Sequence, residues 1–82
     1  MNVKIFTMKG CSYCDKLKQQ LTENKIEYFE IDVDENEELY DNFSKKVDNE
    51  FLPAIIVGKT VFVPEKSFKT INEAVKQIKN HL

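Results

Sequence analysis

The chain has 82 residues, a formal net charge of −2, 41% hydrophobic residues and 32% charged residues. A chain of this length forms one small domain, and this balance of apolar and charged residues is that of a folded chain rather than a disordered one. No apolar run approaches the roughly 20 residues that span a bilayer, and the lysines form no basic stripe, so we expect neither a membrane nor a nucleic acid as partner.

The first half of the chain predicts two strands joined by a helix. Residues 3–7 alternate apolar and polar side chains, as a strand does. Cys14, Leu17 and Leu21 then recur at helical spacing, which predicts a helix over residues 12–24. Residues 26–33 alternate again. A strand, a helix and a strand in so short a span predict a right-handed crossover between parallel strands.

The next segment predicts a second helix and a buried strand. Asp34 is placed to cap the helix, and acidic residues follow near its positive end. Its apolar residues lie at helical spacing and are Leu39, Tyr40, Phe43 and Val47. After Pro53, residues 54–57 are all apolar, which is typical of a strand covered on both faces. We therefore expect this strand in the middle of the sheet.

The last segment predicts a hairpin and a terminal helix. Gly58 and Lys59 form a two-residue link of the kind found in type II′ turns, so residues 54–57 and 60–63 should pair antiparallel. Ser67 is a candidate N-cap for the final helix. The apolar stripe of that helix is Phe68, Ile71, Val75, Ile78 and Leu82.

Both cysteines of the chain lie in one motif, Cys11-Ser12-Tyr13-Cys14, at the start of the first predicted helix. Free backbone N–H groups and the positive end of the helix dipole favour a thiolate at Cys11, which we predict to be the nucleophile. Cys14 lies one turn further into the helix and is the predicted resolving thiol. No signal-peptide pattern precedes the first strand, so we expect a cytoplasmic protein. Because the cytosol keeps ordinary thiols reduced, the motif indicates transient redox chemistry.

The element order β-α-β-α-β-β-α and two motifs resemble a glutaredoxin over the whole chain, residues 1–82, as a single domain. The first motif, Cys11-Ser12-Tyr13-Cys14, is similar to the family's Cys-Pro-Tyr-Cys, with Ser in place of Pro. The second, Leu52-Pro53, is similar to the family's Val-Pro before the third strand. The resemblance implies an α/β, thioredoxin-like fold with a four-stranded mixed sheet in the order 2-1-3-4, flanked by three helices. It also implies a cis bond before Pro53.

The resemblance further implies a thiol-disulfide oxidoreductase that reduces protein disulfides and glutathione mixed disulfides, with glutathione as reductant. Glutathione and disulfide-containing client proteins are the implied partners, and we expect a monomer. The residues implied to bind glutathione are Lys9, Tyr13, Leu52, Pro53 and Ser67. In this interpretation the backbone of Leu52 pairs with a bound peptide-like thiol.

Three of these residues have a second interpretation from the sequence alone. Lys9 is equally consistent with a solvated charge that has no effect on Cys11. Pro53 would cost nothing as the ordinary first residue of a strand. Tyr13 would also suit an amphipathic surface position. The resemblance favours the functional interpretation for Pro53, and the position of Tyr13 between the cysteines favours a place beside the cleft.

The sequence departs from the family pattern where glutaredoxins usually carry a Gly-Gly pair and an acidic residue that hold the γ-glutamyl end of glutathione. Val63-Pro64 and Ser67 occupy this region instead, which removes a close backbone approach and a charge partner. The alternative function is therefore a glutaredoxin-like electron donor for ribonucleotide reductase that is itself reduced by thioredoxin reductase.

A second departure is Ser12, since some family members with Ser at this place resemble scaffolds for a [2Fe-2S] cluster. Such a cluster would need a dimer and external thiols, because one chain offers a single thiolate at the helix tip. Two cysteines and a remote histidine also fall short of a structural zinc site, so we expect no bound metal. The aromatic residues that we assign to the core are Phe6, Phe29, Phe43, Phe51, Phe62 and Phe68.

Overall fold

The computed structural model describes residues 2–82 and contains the seven elements that the sequence predicts, in the same order. The strands are β1 (Val3–Thr7), β2 (Phe29–Asp32), β3 (Ala54–Val57) and β4 (Thr60–Phe62). The helices are α1 (Ser12–Glu23), α2 (Glu37–Val47) and α3 (Ile71–His81). No helix of the described residues is long and apolar enough to cross a membrane.

The four strands form one mixed sheet in the order β2-β1-β3-β4, which confirms the expected thioredoxin-like topology. β1 pairs parallel with β2 and antiparallel with β3, and β3 pairs antiparallel with β4. β3 is an interior strand, as its continuous apolar sequence predicts. The β3–β4 turn also agrees with a type II′ turn, because φ is positive at Gly58, +61, and is not positive at Lys59.

Each face of the sheet carries its own hydrophobic cluster because successive side chains of β1 point to opposite faces. Ile5 lies with Leu17 of α1 and Ile78 of α3 in the larger cluster, and all three have no exposed surface. Phe6 lies in the second cluster, where its ring centroid is 4.6 Å from that of Phe43 in α2. β1 is therefore clamped between helices on both sides at the point where it leads into the dithiol.

Two predicted helix caps are wrong, and local hydrogen bonds explain both. Asp34 lies in a turn in which the N–H of Asn36 donates to the carbonyl of Val33, so α2 begins later, after Asn36. Ser67 lies in the loop before α3, where its hydroxyl accepts the N–H of Val63 at 3.1 Å. The cap of α3 is Thr70, whose hydroxyl accepts the N–H of Glu73 at 3.2 Å.

The assignment of all six phenylalanines to the core is also wrong for two of them. Phe29 is 65% exposed on the edge strand β2, which begins three residues later than the alternating pattern suggests. Phe51 is 62% exposed in the irregular segment before β3, where no strand face directs a side chain inward. Phe68 is buried as expected, but it lies before α3 and forms an isolated bridge with Pro64.

A cluster of three polar side chains joins α1, the helix that begins at the two cysteines, to the sheet. The buried hydroxyl of Thr7 in β1 donates to Glu30 in β2 at 2.6 Å, and the ammonium of Lys18 in α1 donates to the same carboxylate oxygen at 2.9 Å. These hydrogen bonds hold the pKa of the Glu30 carboxyl below its ordinary value, and the bond to Glu30 raises the pKa of Lys18. The cluster fixes α1 against the two parallel strands.

We predict that Glu30→Gln lowers the free energy of unfolding at pH 7 and that this difference disappears in acid. A carboxyl whose pKa is lower in the folded than in the unfolded chain stabilises the fold above its ordinary pKa, here 4.5, and ceases to do so as pH falls through the folded value. Urea unfolding at pH 7 and at successively lower pH values, down to the lowest at which the protein folds, measures this. Glu27→Gln, a matched change at an exposed residue, is the control; a difference that persists in acid would contradict the role of the Glu30 charge.

Candidate active site

The turn between β1 and α1 places Cys11 at the tip of the helix. Gly10 has φ +82, a backbone conformation that favours glycine, and this residue turns the chain out of the strand. The N–H of Cys11 donates to the carbonyl of Met8 at 3.2 Å, which closes the turn. Cys11 itself is the N-cap of α1, with extended backbone angles, and its carbonyl accepts the N–H of Asp15 at 3.1 Å.

Cys11 and Cys14 form a disulfide, with their Cα atoms 5.2 Å apart. The Sγ atom of Cys11 also accepts the backbone N–H of Cys14 at 3.2 Å, so the sulfur takes the position of a capping oxygen. Cys11 is half-buried, whereas Cys14 is 0% exposed. One sulfur is therefore within reach of a substrate, at a helix end that favours a thiolate once the disulfide is reduced, while the other is buried behind it.

A cleft of about 290 Å³ reaches the residue between the two cysteines, although neither cysteine lines it. Tyr13, which lies between the cysteines and is 64% exposed, contributes to it. One wall, the proline wall, is made of Phe51, Leu52 and Pro53, and the peptide bond before Pro53 is cis, as the resemblance implies. The opposite wall, the loop wall, lies between β4 and α3 and consists of Pro64, Glu65, Phe68, Lys69, Thr70 and Ile71.

The structure brings together three of the five residues that the resemblance assigns to glutathione binding. Tyr13, Leu52 and Pro53 line the cleft. Lys9 is exposed in the turn before Cys11, and neither it nor Ser67 is among the lining residues of the cleft. The hydroxyl of Ser67 is already bonded to the N–H of Val63 within its own loop.

Sequence reasoning assigned only three of the ten residues that line the cleft to the site, and three of those it missed are informative. Phe51 was assigned to the core, although its place directly before Leu52-Pro53 was a signal that it belongs to the same wall. Glu65 and Lys69 supply one negative and one positive side chain to the loop wall. Glu65 has φ +70, a conformation uncommon for residues other than glycine, and no local sequence signal predicts it.

Two wider surface depressions, of about 640 and 690 Å³, do not compete with the cleft as the active site. The first surrounds the start of β2 and the end of α1, and the second lies along α2 among acidic side chains. Neither is lined by a residue of the Cys11–Cys14 motif, whereas the cleft is lined by Tyr13 of that motif.

A single chain does not fit a [2Fe-2S] cluster. Such a cluster takes four thiolate ligands, and this chain has two cysteines, of which Cys14 has no exposed surface.

Comparisons with known proteins agree with this geometry. The glutaredoxin family model matches residues 3–62. N-acetyl-S-hydroxy-L-cysteine reductase of Bacillus subtilis (strain 168) is 34% identical over 59 residues, an alignment that covers 72% of this chain and 63% of that relative. The chain thus spans less than two thirds of the relative's length.

Two solved structures share the fold at low identity. The crystal structure of a thioredoxin-like protein matches with TM-score 0.74 and 17% identity, over 99% of this chain and all of that one. NrdH-redoxin from Escherichia coli, described as a glutaredoxin-like protein, matches with TM-score 0.72 and 22% identity, over 88% of this chain and 92% of that one. At these identities the matches show the architecture alone.

We predict that, after reduction, Cys11 is alkylated at least about tenfold faster than Cys14 at pH 7, because only Cys11 combines access with a helix end that favours its thiolate. The two sulfurs are separated by using Cys14→Ser, which leaves only Cys11, and Cys11→Ser, which leaves only Cys14. Iodoacetamide labelling followed by mass spectrometry measures both rates. Similar rates in the two variants would contradict the assigned difference between the sulfurs.

Proposed function

The chain belongs to the glutaredoxin family, and from this premise we propose that it reduces protein disulfides and glutathione mixed disulfides. Cys11 is the nucleophile and Cys14 the resolving thiol in this proposal. The observation that carries this proposal is the unequal exposure of two bonded cysteines at a helix N-terminus. Disulfide exchange requires one accessible sulfur that attacks the substrate and a second sulfur that then resolves the mixed disulfide.

Exchange with a protein disulfide proceeds in two steps. The Cys11 thiolate attacks one sulfur of the client, a Cys11–client disulfide forms, and the other client sulfur leaves as a thiolate. Cys14 then loses its proton and attacks the Cys11 sulfur, which releases the second client thiolate. Two electrons have passed to the client, and the protein carries the Cys11–Cys14 disulfide present in this structure.

Glutathione is the proposed source of the returning electrons. Its thiolate would attack Cys11, and a second glutathione would release the reduced protein together with glutathione disulfide. The cleft supports this choice because its charged side chains, Glu65 and Lys69, could pair with the ammonium and carboxylate groups of a zwitterionic peptide. The proposed location is the cytoplasm, where glutathione is abundant and reduced.

Thioredoxin reductase is the alternative electron source, with ribonucleotide reductase as the client. The missing Gly-Gly pair supports it, and so does the NrdH-redoxin neighbour, which is described as having a thioredoxin-like activity profile. The cleft supports it as well, because its lining includes several apolar side chains, among them Phe51, Phe68 and Ile71.

The named activity of the Bacillus subtilis relative suggests a second substrate class, the sulfenic acids of small thiols. The Cys11 thiolate would attack the sulfenic sulfur, the hydroxyl group would leave as water after taking up a proton, and a mixed disulfide would form. Attack by Cys14 would then release the small thiol. The same two sulfurs perform this reaction without additional groups.

We predict that NADPH oxidation with glutathione and glutathione reductase exceeds that with thioredoxin reductase, at equal protein concentration and with the same disulfide substrate. The reason is that the returning thiol is proposed to be a small peptide that fits the cleft. Absorbance at 340 nm follows both reactions. Faster turnover with thioredoxin reductase would assign the alternative electron source, and no turnover with either would contradict the proposed function.

We also predict different defects for the two cysteine variants. Cys11→Ser should abolish all turnover because the attacking sulfur is absent. Cys14→Ser should retain reduction of glutathione mixed disulfides, which needs one thiol, and should lose most reduction of protein disulfides, which needs two. Lys59→Ala, in the β3–β4 turn, is the matched surface control. Equal loss of both activities in Cys14→Ser would contradict the assigned roles.

A further inference from the structure

One buried side chain outside the dithiol connects the two walls of the cleft. Asn49 follows α2 and is 9% exposed. Its Nδ2 group donates to the carbonyl of Pro64 at 3.0 Å, and its Oδ1 atom accepts the N–H of Phe51 at 2.8 Å. Phe51 belongs to the proline wall and Pro64 to the loop wall, so a single amide group is bonded to both.

We propose that Asn49 is a positioning residue that sets the separation of the two cleft walls and thereby determines which disulfide substrates the protein accepts. This inference rests on the proposed function, because it takes the cleft to be the substrate site. It assigns Asn49 no contact with the reacting sulfurs.

The backbone of Asn49 is itself held by α2. Its N–H donates to the carbonyl of Ser44 at 3.2 Å, after Asp48 has turned the chain with φ +53. α2 in turn packs on the sheet through the contact between Phe43 and Phe6. The backbone that carries the amide group is thus held by α2 and, through α2, by the sheet.

Neighbouring contacts anchor each wall near the end of α2, and the contact of Lys66 also ties the loop segment to the residue before Asn49. Tyr40 of α2 donates its hydroxyl to the carbonyl of Glu50 at 2.9 Å, next to the proline wall. Lys66, next to the loop wall, donates to the carbonyls of Val47 and Asp48, both at 3.1 Å. Asn49 is the side chain whose amide is hydrogen-bonded to a lining residue of each wall.

The walls depend on such a side chain because both segments are irregular. Residues 48–53 and 65–70 contain no helix or extended strand, so their backbone groups lack a regular pairing ladder. A partly buried backbone group that loses its hydrogen-bond partner costs free energy, so loss of the Asn49 amide should let the walls move until the N–H of Phe51 and the carbonyl of Pro64 find other partners. An amide is suited to the role because it donates and accepts at once.

The test compares Asn49→Ala, which removes both hydrogen bonds, with Asn49→Asp, which keeps an acceptor for Phe51 and turns an oxygen toward the Pro64 carbonyl. Asn42→Asp, the same chemical change at an exposed residue of α2, is the control. Each variant is assayed with a disulfide-bridged peptide that spans the cleft and with bis(2-hydroxyethyl) disulfide, which is too small to touch both walls. Protein that has been reduced and freed of glutathione reacts with each substrate in single turnovers, since glutathione is itself proposed to bind the cleft and would convert the small disulfide to a mixed disulfide. The half-saturating substrate concentration and the limiting rate of these turnovers are written KM and kcat below.

We expect Asn49→Asp to raise KM for the peptide about fivefold, the effect of losing one positioning hydrogen bond, and Asn49→Ala, which loses two, to raise it at least as much, with kcat nearly unchanged. KM for the small disulfide and the alkylation rate of Cys11 should stay within about twofold of wild type. Amide hydrogen exchange at Phe51 should accelerate in Asn49→Ala and remain slow in Asn49→Asp. Asn42→Asp should match wild type in every measurement.

Three results would overturn the inference. An unchanged KM for the peptide in Asn49→Asp would overturn the inference, whereas turnover by the wild-type protein would leave the proposed function intact. A parallel fall of kcat for both substrates and of the alkylation rate would mean that Asn49 only supports the fold. Absence of wild-type turnover with either substrate would remove the proposed function together with the inference. If Asn49→Ala does not fold, Asn49→Asp alone decides between these results.

Discussion

The hydrogen bond from the N–H of Cys14 to the sulfur of Cys11 is the interaction on which the site depends. It makes a sulfur the cap of α1, so the end of the helix and the reactive atom are the same place in the structure. Helical spacing then directs Cys14 into the interior, beneath the first turn. The unequal roles of two chemically identical side chains thus follow from where a helix begins.

The sheet supplies the rigidity that this arrangement requires. β1 lies in the interior of the sheet, with Ile5 packed toward α1 and α3 and Phe6 packed toward α2. Thr7, at the end of the same strand, joins the network with Glu30 and Lys18 that holds α1 in register. The strand that carries the chain into the dithiol is therefore fixed by apolar contacts on both faces and by polar contacts at its end.

The order of the elements, the central place of β3 and the dithiol could be predicted from sequence because each leaves a local periodic pattern or a distinctive motif. The caps at Asp34 and Ser67 could not, since hydrogen bonds within the preceding turns had already engaged those residues. The cleft was predicted only in part. Its walls are irregular segments, and their positions depend on Asn49, a residue distant in sequence from Pro64 whose polarity alone does not reveal its partners.

The complete burial of Cys14 also bears on the order in which other molecules use this protein. In the proposed function, oxidised client and incoming reductant would both react at the Cys11 sulfur and could not be bound there together. Each would leave before the other enters, which is a substituted-enzyme kinetic scheme. The burial of the Cys14 side chain would therefore fix the order of the two half-reactions, reduction of the client and re-reduction of the protein.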